Sequence, residues 1–257
     1  MDLTKFLETQ TLTFFFVFYR VVLLFFLFPV FSGAFLPTQI KVLISLVIAL
    51  AITPAIHFTL PHIGSVYQLV LVMLSDFVLI FLISLLFRFI LAGLQIGGEL
   101  VGYQMGFGIT QTIDPISGFS LPIISQFVYL VFLLMFFALN FHHYLFYFIW
   151  ASFKKIPPGS FFVNGRLGMF VIKKSAMMFV LGIKFLAPLM VFMMLIYVAL
   201  GIIGRLIPQM NVLFVSFPLT IGLGLLFFGL MLIFLPRILY PYFTHYIKIL
   251  FMFLRAY

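Results

Sequence analysis

The chain has 257 residues, 65% of them hydrophobic and 7% charged, with a formal net charge of +9 and no cysteine. A soluble domain carries roughly 25% charged residues and could not hide so much apolar surface, so composition excludes an ordinary soluble fold and points to one all-α, polytopic membrane domain over residues 1–257. Disulfides, thiolate nucleophiles and cysteine-held metals are excluded with it, and nucleic-acid binding is disfavoured because the basic residues are scattered among apolar runs.

In chain order, the N-terminus sets Asp2 and Glu8 against Lys5 and shows no small-x-small cleavage pattern, so no cleaved leader is expected. Apolar segments then fall at about 11–31, 42–56, 66–96, 121–150, 177–204 and 212–236, which predicts six hydrophobic helices followed by an amphipathic tail to Tyr257. Segment 42–56 is short, about 22 Å of helix, and 66–96 is too long for one span and contains Asp76 and Arg88. Pro29, Pro37, Pro54, Pro188, Pro208 and Pro218 lie inside or beside these runs, where each breaks or kinks a helix unless neighbours satisfy the freed carbonyls. The basic connection at 151–176, with Lys154, Lys155, Arg166, Lys173 and Lys174, belongs in the cytoplasm by the positive-inside rule, and counting outward puts both termini there. All five acids lie in the first 114 positions and ten of the fourteen Lys and Arg follow them, so the second half looks to lipid phosphates or to another chain for counter-charge.

Residues 93–122 carry the most information. On a helix, Gln95, Glu99, Gly102, Tyr103 and Gly106 share an arc of roughly 100°. The small residues let another helix approach, and Glu99 would cost about 2.5–3.5 kcal/mol or more facing lipid, so this face must meet protein or water. Past Gly106 the pattern gives way to turn residues: Gly108, Thr110, Thr112, Asp114-Pro115 and Ser117-Gly118. The bland reading is an extramembrane connection. The functional reading is an irregular segment that closes a water-filled path, with Met105, Phe107 and Phe119 as the bulky seal and Gly108, Asp114, Pro115 and Gly118 shaping the backbone.

Further along, His142 and His143 point about 100° apart on a helix and cannot both face one metal. Asp76 and Arg88 are twelve residues apart, so each needs a partner elsewhere. Arg205, Pro208, Gln209 and Asn211 form a polar cluster between two apolar runs, read either as a capped helix end or as a subunit junction. No phosphate loop, dinucleotide fingerprint, zinc-binding His-Glu-x-x-His or nucleophile elbow is present, so neither a cofactor nor an enzyme activity is expected.

Taken in order, several pieces resemble the FliR family of flagellar and virulence type III secretion export-gate proteins. They are Arg20 with Phe28-Pro29-Val30-Phe31 and Pro37; Gly98-Glu99 to Gly102, Met105-Gly106-Phe107-Gly108 and Asp114-Pro115; His142-His143; Ser152-Phe153 before Pro157; and Leu200-Gly201 to Arg205 with Pro208-Gln209-Met210-Asn211-Val212. Asn140-Phe141 stands where the family has Asp-Gly, and Thr220 where it often has Lys. The resemblance implies a non-enzymatic subunit of a protein-conducting channel with FliP and FliQ, neighbouring FlhB and FlhA. It further implies unfolded export substrates and a place in the bacterial inner membrane at the flagellar basal body. The alternatives are the virulence counterpart, a secondary transporter with Glu99, Asp76 and the histidines as a proton relay, and a haem-binding or enzymatic membrane protein using a histidine. The transporter needs an inverted repeat, and none is visible.

Overall fold

The computed structural model describes residues 3–33, 36–56, 64–108, 123–163, 165–209 and 211–256. Among them are eight α-helices: α1 (Leu3–Leu27), α2 (Pro29–Ser32), α3 (Thr38–Ile52), α4 (Val66–Gln104), α5 (Ile123–Ala138), α6 (Phe141–Lys155), α7 (Gly165–Leu206) and α8 (Val212–Ala256); a 3-10 turn, Thr53–Ala55, extends α3. No strand occurs among the described residues. Among the described residues five helices are long and apolar enough to cross a membrane, and six spans result if the broken pair α5 and α6 is one of them. The protein is therefore an all-α, polytopic membrane protein, as its composition demands.

Three elements differ from the sequence expectation. The run 212–236 and the tail are one helix of 45 residues, α8, with Pro218, Pro236 and Pro241 inside it. Likewise α7 continues through Pro188. At 1.5 Å per residue, α4, α7 and α8 are about 58, 63 and 68 Å long, some twice the roughly 30 Å of hydrocarbon a span must cross. The run 121–150 is instead divided at Leu139–Asn140. Asn140 takes the left-handed conformation, φ 56°, which Asn tolerates better than other non-glycine residues.

The chain forms two compact units. The first comprises residues 1–88, 139–172 and 244–257. Its core is built on one stripe of α1, where Phe16, Val17, Val21, Leu24 and Phe25 are buried at helical spacing, continued by the buried Phe28 just past its end. Phe28 packs on Phe87 with ring centroids 4.5 Å apart, Phe87 meets Tyr246 edge-on at 4.9 Å, and the Tyr246 hydroxyl donates to the Ile83 carbonyl at 2.9 Å. In α2 and α3, the buried Lys41 caps a helix end by donating to the carbonyls of Ser32 and Gly33. That arrangement satisfies an amine that lipid would not tolerate.

The second unit comprises residues 89–138 and 173–243. Its tightest seam joins α4 to α7. A Cβ on Gly93 would lie 2.5 Å from the Met178 carbonyl oxygen, one on Gly97 2.6 Å from that of Gly182, and one on Gly182 would strike the Gly93 carbonyl. On another side of α4, a Cβ on Gly98 would lie 2.8 Å from the Ser125 Cα of α5. Only hydrogen fits at these positions, so backbones touch and dispersion contacts replace the hydrophobic drive that lipid removes.

Candidate functional site

Two polar constellations stand out, one in each unit. In the first, Arg20 sits within the apolar stripe of α1 and is fully buried, as is Asp76 of α4. Nε of Arg20 donates to Oδ2 of Asp76 at 3.1 Å and Nη2 to Oδ1 at 2.6 Å, a bidentate pair. Nη1 donates to the Ser152 hydroxyl at 2.8 Å, and both Nη atoms donate to the Ile156 carbonyl at 3.2 Å. The guanidinium also lies over the Phe153 ring, 4.1 Å from its centroid. All five N–H donors of the guanidinium are thus used, and they tie together α1, α4, the last turn of α6 and the residue that ends it. The partner that Asp76 requires is Arg20, 56 positions away. The available signal was the phase of Arg20 on the α1 stripe, between Val17 and Leu24.

The second constellation is the C-terminal end of α4. A helix leaves its last four carbonyls without intrahelical donors, and in a membrane each must be satisfied by protein. Here they are. Gly106, at φ 95°, donates to the Tyr103 carbonyl at 3.0 Å and Phe107 to that of Gly102 at 3.1 Å, the paired bonds of a glycine-terminated Schellman cap. The Tyr197 hydroxyl of α7 donates to the Gln104 carbonyl. The Thr220 hydroxyl of α8 lies 3.3 Å from the Met105 carbonyl and 3.2 Å from that of Phe217, sharing its one proton between them. The Met105 side chain is fully buried and packs on Gly224, where a Cβ would lie 2.7 Å from Met105 Cγ; a Cβ on Gly106 would lie 3.2 Å from the Phe217 ring. The α8 residues Phe217, Thr220 and Gly224, on one face, form a seat for the end of α4. Thr220, at the position where the resemblance leads one to expect Lys, supplies a hydrogen bond that needs no buried charge.

The arc expected from sequence lies beside this seam. Gln95 and Glu99 are half-buried and Gly102 is buried, while Tyr103 is 48% exposed and donates to Glu99 Oε1 at 3.3 Å. The closest helix approach runs through Gly93, Gly97 and Gly98, one face over from that arc. Of the seal residues, Met105 points into the unit, and Phe107 and Gly108 are half-buried, with the Tyr103 ring against Gly108. Asp114, Pro115, Gly118 and Phe119 lie outside the described residues. Arg205, Pro208, Gln209 and Asn211 are all exposed at the α7–α8 connection, next to Leu206 at 75% and Phe214 at 77% exposure. The Asn211 carbonyl accepts the Phe214 N–H at 3.1 Å, which suits a residue starting α8. His142 and His143 touch edge-on, with centroids 4.3 Å apart, and no group of three His, Cys, Asp or Glu able to hold a metal occurs among the described residues.

Comparison with known proteins gives one consistent set. A family model described as bacterial export proteins, family 1, matches residues 11–246. A flagellar biosynthetic protein FliR from Bacillus subtilis (strain 168) is 35% identical over 145 residues, which is 55% of this chain and 56% of that protein. Proteins of the same name from Buchnera aphidicola subsp. Acyrthosiphon pisum (strain APS) and Aquifex aeolicus (strain VF5) are 29% and 27% identical. They align over 92% and 94% of this chain and 90% and 91% of their own lengths.

Proposed function

Because the chain belongs to the bacterial export proteins, family 1, we propose that it is a subunit of the flagellar type III export gate, forming a protein-conducting channel with FliP and FliQ beside FlhB and FlhA. It works in the inner membrane at the flagellar basal body, as a channel component and not as an enzyme, and unfolded export substrates pass along the assembly. The observation that carries this reading is the family match over residues 11–246 on a chain of long apolar helices. The relatives named above are flagellar proteins, which favours the flagellar over the virulence system.

Within that reading, residues 105–119 act as a closure. The support is the anchoring of the α4 end: with its carbonyls satisfied and Met105 locked on Gly224, the chain leaves α4 from a fixed abutment at Gly106. A fixed abutment gives the closure a defined starting point, and Gly106 and Gly108 beside it give the backbone freedom to move. Arg205, Pro208, Gln209 and Asn211 act at a subunit junction; their support is exposure beside large apolar side chains, an arrangement that a partner chain covers.

The test is genetic and biochemical together. Deleting the gene in its own bacterium stops flagellar export and swimming, a plasmid copy restores both, and an affinity-tagged chain brings FliP and FliQ out of the membrane with it. A swimming deletion strain, or a tagged chain that purifies alone as a stable monomer, overturns the reading.

A further inference from the structure

We propose that a cavity at the end of α6 binds the phosphodiester headgroup of an anionic membrane phospholipid. The cavity has a volume of about 300 Å³ and is lined by Ala55, Ile56, Trp150 and Lys154, all in the first unit. That is about ten times the share of one water in the liquid, room for a phosphodiester and its glycerol.

Three observations select this occupant. First, depth: the cavity lies where two candidate spans end, Thr38–Ala55 on one wall and the α5–α6 pair, ending at Lys155, on the other. Tyr147, Trp150 and Lys154 follow one another at spacings of three and four along a single face of α6. Tyr147 and Trp150 are 51% and 36% exposed, with rings 5.6 Å apart. Exposed Tyr and Trp followed by Lys mark the level of the headgroups. Second, a built wall: the Trp150 indole N–H donates to the Ala55 carbonyl at 3.4 Å, so the ring is fixed to the turn that forms the opposite side. Third, charge: among the described residues no hydrogen bond, ion pair or ring contact engages the Lys154 ammonium. Asp76, the carboxylate of this unit whose side chain is described, is buried and committed to Arg20. Lys154 is exposed at the cavity, and an ammonium held at headgroup depth attracts an anion; the phosphodiester is the anion that the surroundings supply. Lys155 is as exposed as Lys154 but does not line the cavity, which sets the site apart from the general basic character of this connection.

The experiment uses the chain in its complete membrane assembly, extracted with its lipids. Native mass spectrometry counts retained phosphatidylglycerol and phosphatidylethanolamine for the parent, Lys154→Gln, Lys154→Arg and Lys155→Gln. The parent keeps phosphatidylglycerol in preference, Lys154→Gln loses it about fivefold, as expected for one interfacial lysine, and Lys154→Arg and Lys155→Gln stay within twofold of the parent. Equal loss in Lys154→Gln and Lys155→Gln overturns the proposal in favour of diffuse surface charge. Equal retention of both lipids, or no loss in Lys154→Gln, overturns it in favour of an empty or protein-covered recess.

Discussion

Replacing Asp76 with Ala tests the account of the first unit most sharply. The substitution removes both charge-assisted bonds to the carboxylate, at 3.1 and 2.6 Å, and leaves the Arg20 guanidinium fully buried with its charge uncompensated. Water cannot reach it, and the remaining partners, the Ser152 hydroxyl, the Ile156 carbonyl and the Phe153 ring, are neutral. Removing one partner of a buried pair costs about 3–5 kcal/mol. At roughly 2–4 °C per kcal/mol for a chain of this size, the transition falls by about 6–20 °C. Arg20→Lys is no rescue, because an ammonium offers three donors to a site that uses five and cannot grip a carboxylate with two parallel bonds. The double variant Arg20→Met with Asp76→Leu removes both charges and keeps the volume, so it recovers most of the loss. The assay is the temperature at which half of the chain, in isolated membranes, aggregates. A transition within 2 °C of the parent for Asp76→Ala refutes the buried pair. A double variant as poor as the sum of its parts refutes the coupling between them.

Three further outcomes follow from the second unit and its termini. Gly97→Ala and Gly182→Ala drive a methyl into a backbone carbonyl across the α4–α7 seam and lower the same transition by about 1–3 kcal/mol equivalent. Gly229→Ala, with nothing within 4 Å of its Cβ, is neutral or stabilising by up to about 1 kcal/mol; equal behaviour of the three would mean the seam is absent. Gln209→Leu and Asn211→Leu reduce recovery of the complex with FliP and FliQ and export in parallel, whereas intact assembly with selective loss of export would place them in the conduit. Deleting part of 109–118, or changing Phe107 and Phe119 to Ala, leaves the complex assembled but lets small ions through without cargo, measured as conductance at equal abundance. Variants as tight as the parent would make the segment a plain connection.

Sequence alone determined the solvent and the class. With 65% hydrophobic and 7% charged residues, the apolar surface has no home but lipid, whatever the arrangement of helices. The order of short motifs, from Arg20 through Met105-Gly106-Phe107-Gly108 to Asn211, was also legible, because motif order is a property of the chain itself. The glycines and turn residues around 106 marked where α4 stops, since a left-handed backbone is costly for other residues.

Tertiary structure decided what depends on partners far along the chain. Hydropathy showed one run at 121–150, yet a left-handed Asn140 divides it, a torsion to which apolar character is blind. Pro188 and Pro218 pointed to breaks, yet α7 and α8 continue through them, because a missing N–H costs little once neighbours satisfy the freed carbonyl. The polar arc through Gln95 and Glu99 was real as an arc, but the backbone contact falls on Gly93, Gly97 and Gly98. Which face another helix seeks is set by where Met178, Gly182 and Ser125 stand. Asp76 and Arg20, 56 residues apart, find each other for the same reason. Charge requires a partner, and the sequence declares that requirement, but only packing of the helices brings one particular guanidinium within hydrogen-bond distance of one particular carboxylate.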